Sequence, residues 1–228
     1  MNTPNPSRWE ELFSVACQII DLAGGDGIVA SWSFGGGTAL MLQIDHRESH
    51  DIDIFIDDPQ VLPLLNPETQ DYALTLSPSA YDTDGTRSLK LSFAEIGEID
   101  FICCGHLTEN PTSTTEVLGR PVELETSAEI IAKKVFYRGG MIQPRDMFDI
   151  AASIRHGDAD VLERALSSYA DKCAIAREAA ARMSPQLALA GMTSLQNIRP
   201  MYQDLPATAQ KQVVEFLARI EPALLQGD

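Results

Sequence analysis

A glycine turn, Gly35-Gly36-Gly37-Thr38-Ala39-Leu40, precedes Asp51-Ile52-Asp53-Ile54-Phe55-Ile56, in which two carboxylates one residue apart sit within an apolar run. Alternate residues of a strand share a face, so Asp51 and Asp53 point together while Ile52, Ile54 and Ile56 turn towards a core. Two carboxylates side by side in such a strand repel unless a cation lies between them. The thirteen residues 38–50 between the glycines and Asp51 leave room for one short helix. The pattern predicts strand, glycine turn, helix and acidic strand, carrying a metal-dependent phosphate site. Glycines lacking Cβ let the main chain approach phosphate oxygens, and the helix opened by Thr38 adds its dipole, which makes Gly36, Gly37 and Thr38 triphosphate-binding candidates.

The chain has 228 residues and 44% hydrophobic content, enough for one large domain or two small ones with a sizeable core. The sequence has no run of eighteen apolar residues, and Met1-Asn2-Thr3-Pro4-Asn5-Pro6 has no signal-peptide pattern, so a cytoplasmic protein without a membrane partner is expected. Cys17, Cys103, Cys104 and Cys173 show no C-x-x-C spacing and read as reduced core residues, not as zinc ligands. Net charge is −16, with 24 acids and 9 bases in residues 1–150 against 9 and 8 in 151–228. That balance argues against an unaided nucleic-acid grip except between 120 and 145, where Arg120, Lys133, Lys134, Arg138 and Arg145 outnumber Glu123, Glu125 and Glu129.

Apolar periodicity predicts an N-terminal helix over 8–22, followed by strands over 28–34 and 51–56 flanking a helix over 38–43. Strand-like runs follow at 72–76, 88–93 and 98–103, with a turn at Asp82-Thr83-Asp84-Gly85 and a hairpin over 116–124 broken by Gly119. From Thr126 the chain becomes helical: Thr126-Ser127-Ala128-Glu129 fits a capping box in which Glu129 reaches back to the cap. Helices are expected near 127–138, 144–156, 158–170, 173–190 and 206–226. The division falls at 125, giving a core of 1–125 and a helical region of 126–228.

A third carboxylate is expected from Ile96-Gly97-Glu98-Ile99-Asp100-Phe101-Ile102. Asp100, flanked by apolar residues, is preferred, and Glu98 on the same face stays open as the alternative. Farther on stand Glu129-Ile130-Ile131-Ala132-Lys133-Lys134, Arg138, and Arg145-Asp146-Met147-Phe148-Asp149. Helical spacing allows Arg145–Asp149 and Glu129–Lys133 ion pairs. Residues 45–50 read as a solvated polar loop, which is the reading preferred for His46 and His50.

The order Gly-Gly-Thr-Ala-Leu (36–40), then Arg-x-Ser-x-Asp-Ile-Asp (47–53), is similar to the nucleotidyltransferase superfamily and, within it, resembles the AbiEii family of nucleotidyltransferase toxins from toxin–antitoxin and phage-abortive systems. The resemblance extends to the lysine helix and Arg-Asp-x-x-Asp at 145–149, and is weakest over 56–125 and 151–228. It implies an α/β nucleotidyltransferase fold with a mixed, roughly five-stranded sheet followed by an α-helical C-terminal region. It implies an enzyme that moves an NMP from an NTP to an acceptor hydroxyl, with tRNA as the acceptor and a separately encoded antitoxin as the restraint. Asp51, Asp53 and Asp100 would hold Mg²⁺, two ions in the expected arrangement, with Asp100 also placed to accept the hydroxyl proton. Arg47 and Ser49 would serve the nucleotide, as would Lys134, Arg145 and Asp146; Lys133 could replace Lys134 by spacing.

Two other functions fit the same letters. Antibiotic nucleotidyltransferases share the glycine turn and Asp-x-Asp, and an acidic cleft would attract their cationic aminoglycosides. A nucleotidyltransferase fold can also serve as a non-catalytic nucleotide-binding module. Three carboxylates, a glycine turn and a lysine kept together favour the enzyme.

Overall fold

The computed structural model describes residues 6–24, 29 and 31–220. It resolves into two compact units, one formed by 1–39, 49–106 and 112–125, the other by 40–48, 107–111 and 126–228.

The first unit is built on a mixed sheet. Helix α1 (Trp9–Ala23) precedes strand β1 (Trp32–Gly35), and helix α2 (Gly36–Ile44) starts directly at the glycine turn. Strands β2 (Ile52–Ile56), β3 (Ala80–Thr83), β4 (Ser88–Phe93), β5 (Gly97–Cys103), β6 (Thr112–Val117) and β7 (Arg120–Glu125) follow, with a one-turn helix α3 (Pro67–Gln70) between β2 and β3. Among the described residues the sheet has seven strands in the order β3-β4-β5-β2-β1-β7-β6, not the five expected. β2 pairs parallel with β5 and β1 with β7, and the remaining neighbours are antiparallel. The alternation of β2 is as its sequence requires, with Ile52, Ile54 and Ile56 buried and Asp53 and Phe55 half-buried. α1 packs its apolar stripe, including Leu12, Phe13, Ala16 and Ile19, against β2 and β5, and the Phe13 and Phe34 rings stand 5.1 Å apart.

The added strands correct the expectation for 72–76. That segment is not a strand, because its backbone is satisfied from the side: Gln18 donates to the Ala73 carbonyl and accepts from the Thr75 amide. The strand lies later, at Ala80–Thr83, where Asp82 and Thr83 extend a hairpin whose turn is organised by Asp84 accepting from the amides of Thr86, Arg87 and Ser88. The hairpin around Gly119 begins four residues earlier than expected, at Thr112, and Leu118 and Gly119 both take positive φ in its turn. The expected start of the first strand at 28 lies outside the described residues.

The second unit is helical. Helices α4 (Ser127–Arg138), α5 (Pro144–Ser153), α6 (Ala159–Leu166), α7 (Ala170–Arg182), α8 (Pro185–Thr193) and α9 (Ala209–Ala218) pack around Ile131, Val135, Phe148, Leu162, Ala176, Tyr202 and Phe216. α4 starts where Thr126 caps the Glu129 amide. The Glu129 carboxylate does not reach back to the cap, however; it accepts from the amides of Leu107 and Thr108 and from the Thr108 hydroxyl. The single helix expected over 173–190 is two, because Ser184 caps the Leu187 amide and Pro185 occupies the first turn, a start signal inside the periodic run. A π turn at Ile154–Asp158, with Gly157 at φ 119°, separates α5 from α6. The expected end of the last helix, at 226, lies outside the described residues. Among the described residues no helix is long and apolar enough to cross a membrane.

Candidate active site

The β2–β5 register sets Asp53 directly beside Asp100. Neighbouring residues in register share a face, so the two carboxylates stand on the same side of the sheet. Asp51 lies one residue before β2 begins, and its Oδ1 is held by the Glu98 amide at 3.0 Å. Thr38, fully buried, donates its hydroxyl to the Asp51 carbonyl and so ties the first turn of α2 to the residue that opens the acidic strand. Its hydroxyl is thereby committed within the fold.

The glycines have local causes that their letters alone do not disclose. Gly36 has φ +70°, and a Cβ there would overlap Asp53 Oδ2. Both the backbone conformation and the proximity of a carboxylate require glycine. Gly35 sits against Glu125 and Phe55, and a Cβ there would overlap Glu125 Oε2. Glu125 is fully buried and accepts from Ser33 Oγ at 2.9 Å. Sequence reasoning gave Glu125 no role, since its partners lie on another strand.

The electrostatics of Asp100 are those of a carboxylate in want of a cation. Burial first, and then the neighbouring Asp53, push its pKa up to about 6, with Lys90 opposing them. Lys90, also missed from the sequence, stands opposite Asp100 on β4; its Nζ is 2.5 Å from Glu98 Oε2 and 3.4 Å from Asp100 Oδ2. Burial works against the ammonium, but Glu98 and Asp100 hold it above the ordinary lysine range. Glu98's other oxygen accepts from Ser92 at 3.3 Å. Asp53 and Asp100, in register and repelling one another, offer the oxygen donors that a hard divalent cation takes.

The second unit holds a different cluster. Asp149, inaccessible to solvent, accepts from Arg47 Nε at 2.8 Å and Nη2 at 3.1 Å, and its Oδ2 lies 3.0 Å from Lys134 Nζ. His46 Nε2 is 2.9 Å from Asp149 Oδ1. Asp146 takes Lys134 Nζ on Oδ1 at 2.9 Å and the Gln143 amide on Oδ2 at 3.1 Å, so it also caps the start of α5. The expected solvated loop is thus wrong at His46 and Arg47, which are buried; His50 is half-buried. Asp149 pairs with Arg47 and Lys134 in place of Arg145, which is exposed and forms no ion pair among the described residues. Lys133 lies 3.6 Å from Glu129, and the Ser49 carbonyl accepts from Ser7 Oγ at 2.7 Å.

Burial would lift Asp149, yet Arg47, Lys134 and His46 hold it well below the usual carboxylate range. For His46, burial outweighs the attraction of Asp149, and its pKa falls below the ordinary histidine value. Its Nδ1 finds no hydrogen-bond partner among the described residues, which suits a neutral ring donating from Nε2.

No curated protein matches the chain in sequence. Among solved structures, the chain is similar to MenT4, a nucleotidyltransferase toxin from Mycobacterium tuberculosis H37Rv, with TM-score 0.56 and 14% identity over 93% of this chain and 84% of that one. JHP933 from Helicobacter pylori matches with TM-score 0.45 and 13% identity over 94% and 95%. The first of these supports the nucleotidyltransferase fold. The family model for the nucleotidyl transferase AbiEii toxin of type IV toxin–antitoxin systems matches residues 29–224, and the chain belongs to that family of NTP-dependent nucleotidyltransferase toxins.

Proposed function

We propose that Asp51, Asp53 and Asp100 form the metal-binding face on which this toxin moves an NMP from an NTP to a tRNA hydroxyl, with Mg²⁺ as the cation. The observation that carries this reading is the Asp53–Asp100 register together with the Glu98 amide that orients Asp51. When bound, Mg²⁺ supplies charge neutralisation at the transferred phosphate and a more acidic attacking hydroxyl. The chain's own share is positional. Gly36, Gly37 and Thr38 offer the first amides of α2 to phosphate oxygens. Asp100, in register beside Asp53, would also take the hydroxyl proton.

Lys134, Arg47 and Asp146 take a supporting part in this reading. Lys134 is within 3.0 Å of two carboxylates and would have to give them up to reach a phosphate. Arg145, exposed, and Ser49 are kept as nucleotide-binding candidates. The core of 1–125 and helical region of 126–228 remain the working functional division, and a separately encoded antitoxin the expected partner.

The test is incubation of the purified protein with Mg²⁺, each α-³²P-labelled NTP in turn and total bacterial tRNA, with Asp51→Ala as control. Label on tRNA that disappears in the control supports the reading and names the nucleotide. No label on RNA, with label on an aminoglycoside instead, moves the acceptor to a small cation, an outcome the acidic first 150 residues would suit.

A further inference from the structure

Lys90 and Asp100 are direct cross-strand partners, and Ser92 stands opposite Glu98. Register alone would give the lysine to Asp100. The shorter contact nevertheless runs diagonally, 2.5 Å to Glu98 against 3.4 Å to Asp100, and Ser92 takes Glu98's remaining oxygen. Glu98 and Asp100 are the two acids of β5 on the acidic face, and both could compete for a cation. Only Glu98 has both oxygens engaged among the described residues.

We propose that Lys90 is a positioning residue, a built-in counter-cation that occupies Glu98 and reserves Asp100 for the divalent ion. The proposal rests on the carboxylate reading above. Lys90 sets which acid is presented and lowers the affinity of the face for a cation, so that metal arrives with substrate phosphates instead of being held tightly beforehand. Removing the lysine leaves Glu98 free to ligate and deletes a positive charge next to the ion. Removing Glu98 instead leaves Lys90 with Asp100 as its nearest carboxylate, in competition with the ion.

These two substitutions therefore move affinity in opposite directions, which loss of a merely structural contact would not do. Mn²⁺ binding to the metal-free protein, followed by electron paramagnetic resonance without nucleotide, reads this directly. Lys90→Met is expected to tighten Mn²⁺ about tenfold, the effect of one charge a few ångströms away in a partly solvated site. Glu98→Gln is expected to weaken it several-fold, to roughly the same order, and the double variant to return close to wild type. Unchanged or weaker binding in Lys90→Met, or unweakened binding in Glu98→Gln, would overturn the assignment; should Lys90→Met fail to fold, Lys90→Gln deletes the same charge on a polar side chain and is expected to show the same tightening. Asp53→Ala separates the two levels. Mn²⁺ binding that survives Asp53→Ala overturns the carboxylate site, and the role of Lys90 with it. Binding lost in Asp53→Ala but indifferent to Lys90 and Glu98 overturns only the role of Lys90.

Discussion

Asp100 and Asp149 are carboxylates of the same kind, each largely removed from water, with opposite electrostatic fates. Asp100 shares its strand register with Asp53, and its pKa rises to about 6 although a lysine is near. Asp149 is enclosed by a bidentate arginine, a lysine and a histidine, and falls well below the usual range. The first environment holds negative charge that an outside cation would relieve, and the second holds charge already matched within the fold. Burial is common to both, so the neighbours decide. A carboxylate whose neighbours repel it is a candidate for ligand chemistry, and one whose neighbours neutralise it is a structural element.

The widest separation between the two should come from deleting each cluster's acids. Asp53→Ala is expected to cut nucleotidyl transfer on the order of a thousandfold, the scale of losing a principal electrostatic contact in a site. The variant should melt no lower than wild type, since it removes one of two repelling groups. Asp149→Ala is expected to do the reverse, costing about 3–5 kcal/mol of stability by stranding Arg47 and part of the bonding of Lys134. For a chain of this length that is a fall of roughly 6–20 °C in melting temperature. Full transfer by Asp53→Ala, or an unshifted melt of Asp149→Ala, would break the comparison at that end.

Smaller effects sharpen it. The raised pKa of Asp100 means that its favourable contribution to folding is complete below the ordinary carboxylate value and is lost as pH rises through about 6. At pH 8 the metal-free Asp100→Asn protein should therefore be more stable than wild type, by at most about 2 kcal/mol given the partial exposure of the side chain. Differential scanning at pH 8 and pH 4 should show the gain at the higher pH alone; a variant less stable than wild type at pH 8 would contradict the repulsion assigned to Asp53. Gly36→Ala meets both a positive φ and Asp53 Oδ2, and about 1–2 kcal/mol of destabilisation is expected, read from its denaturant midpoint.

What could be read from the sequence was what its neighbours in the chain determine. α4 occupies the expected 127–138 because Thr126 and the apolar period lie within one turn of it. The alternation of β2 and the order of the glycine turn, α2 and the acidic strand were legible for the same reason. Partners distant in sequence were not. Glu129 looked like a capping-box residue, but its carboxylate goes to amides about twenty residues earlier. The ladder of β3 was misplaced to 72–76 because an apolar run cannot reveal that Gln18 will satisfy its backbone. His46 looked like a solvated loop residue, while its partner Asp149 stands 103 positions away. Gly35 read only as an extra glycine ahead of the Gly36-Gly37 pair, and the buried Glu125 it accommodates lies on β7.

The mildest test concerns that histidine. In the neutral ring Nε2 donates to Asp149; protonation would place a second N–H, at Nδ1, where no acceptor is within reach among the described residues. It would also add positive charge beside Arg47 and Lys134, although Asp149 opposes this. The folded-state pKa therefore lies below that of the unfolded chain, and its contribution is full above the ordinary histidine value of about 6.5 and is lost as pH falls through that value towards the folded one. Asp149 adds an acid loss of its own, confined to pH below the ordinary carboxylate range. That acid loss lies below the histidine window, but Asp100 titrates inside it with the opposite sign, so urea midpoints between pH 7 and 5 are compared in the Asp100→Asn background, where the histidine is isolated. In that background the protein should lose stability there with a slope of at most about 1.4 kcal/mol per pH unit, and adding His46→Gln should flatten that segment while leaving the fall at lower pH. Coincident profiles would mean that His46 binds protons equally in the folded and unfolded chain, so that Asp149 fully offsets its burial; a profile with His46 intact that rises towards pH 5 relative to the His46→Gln one would mean that the ring is charged in the fold.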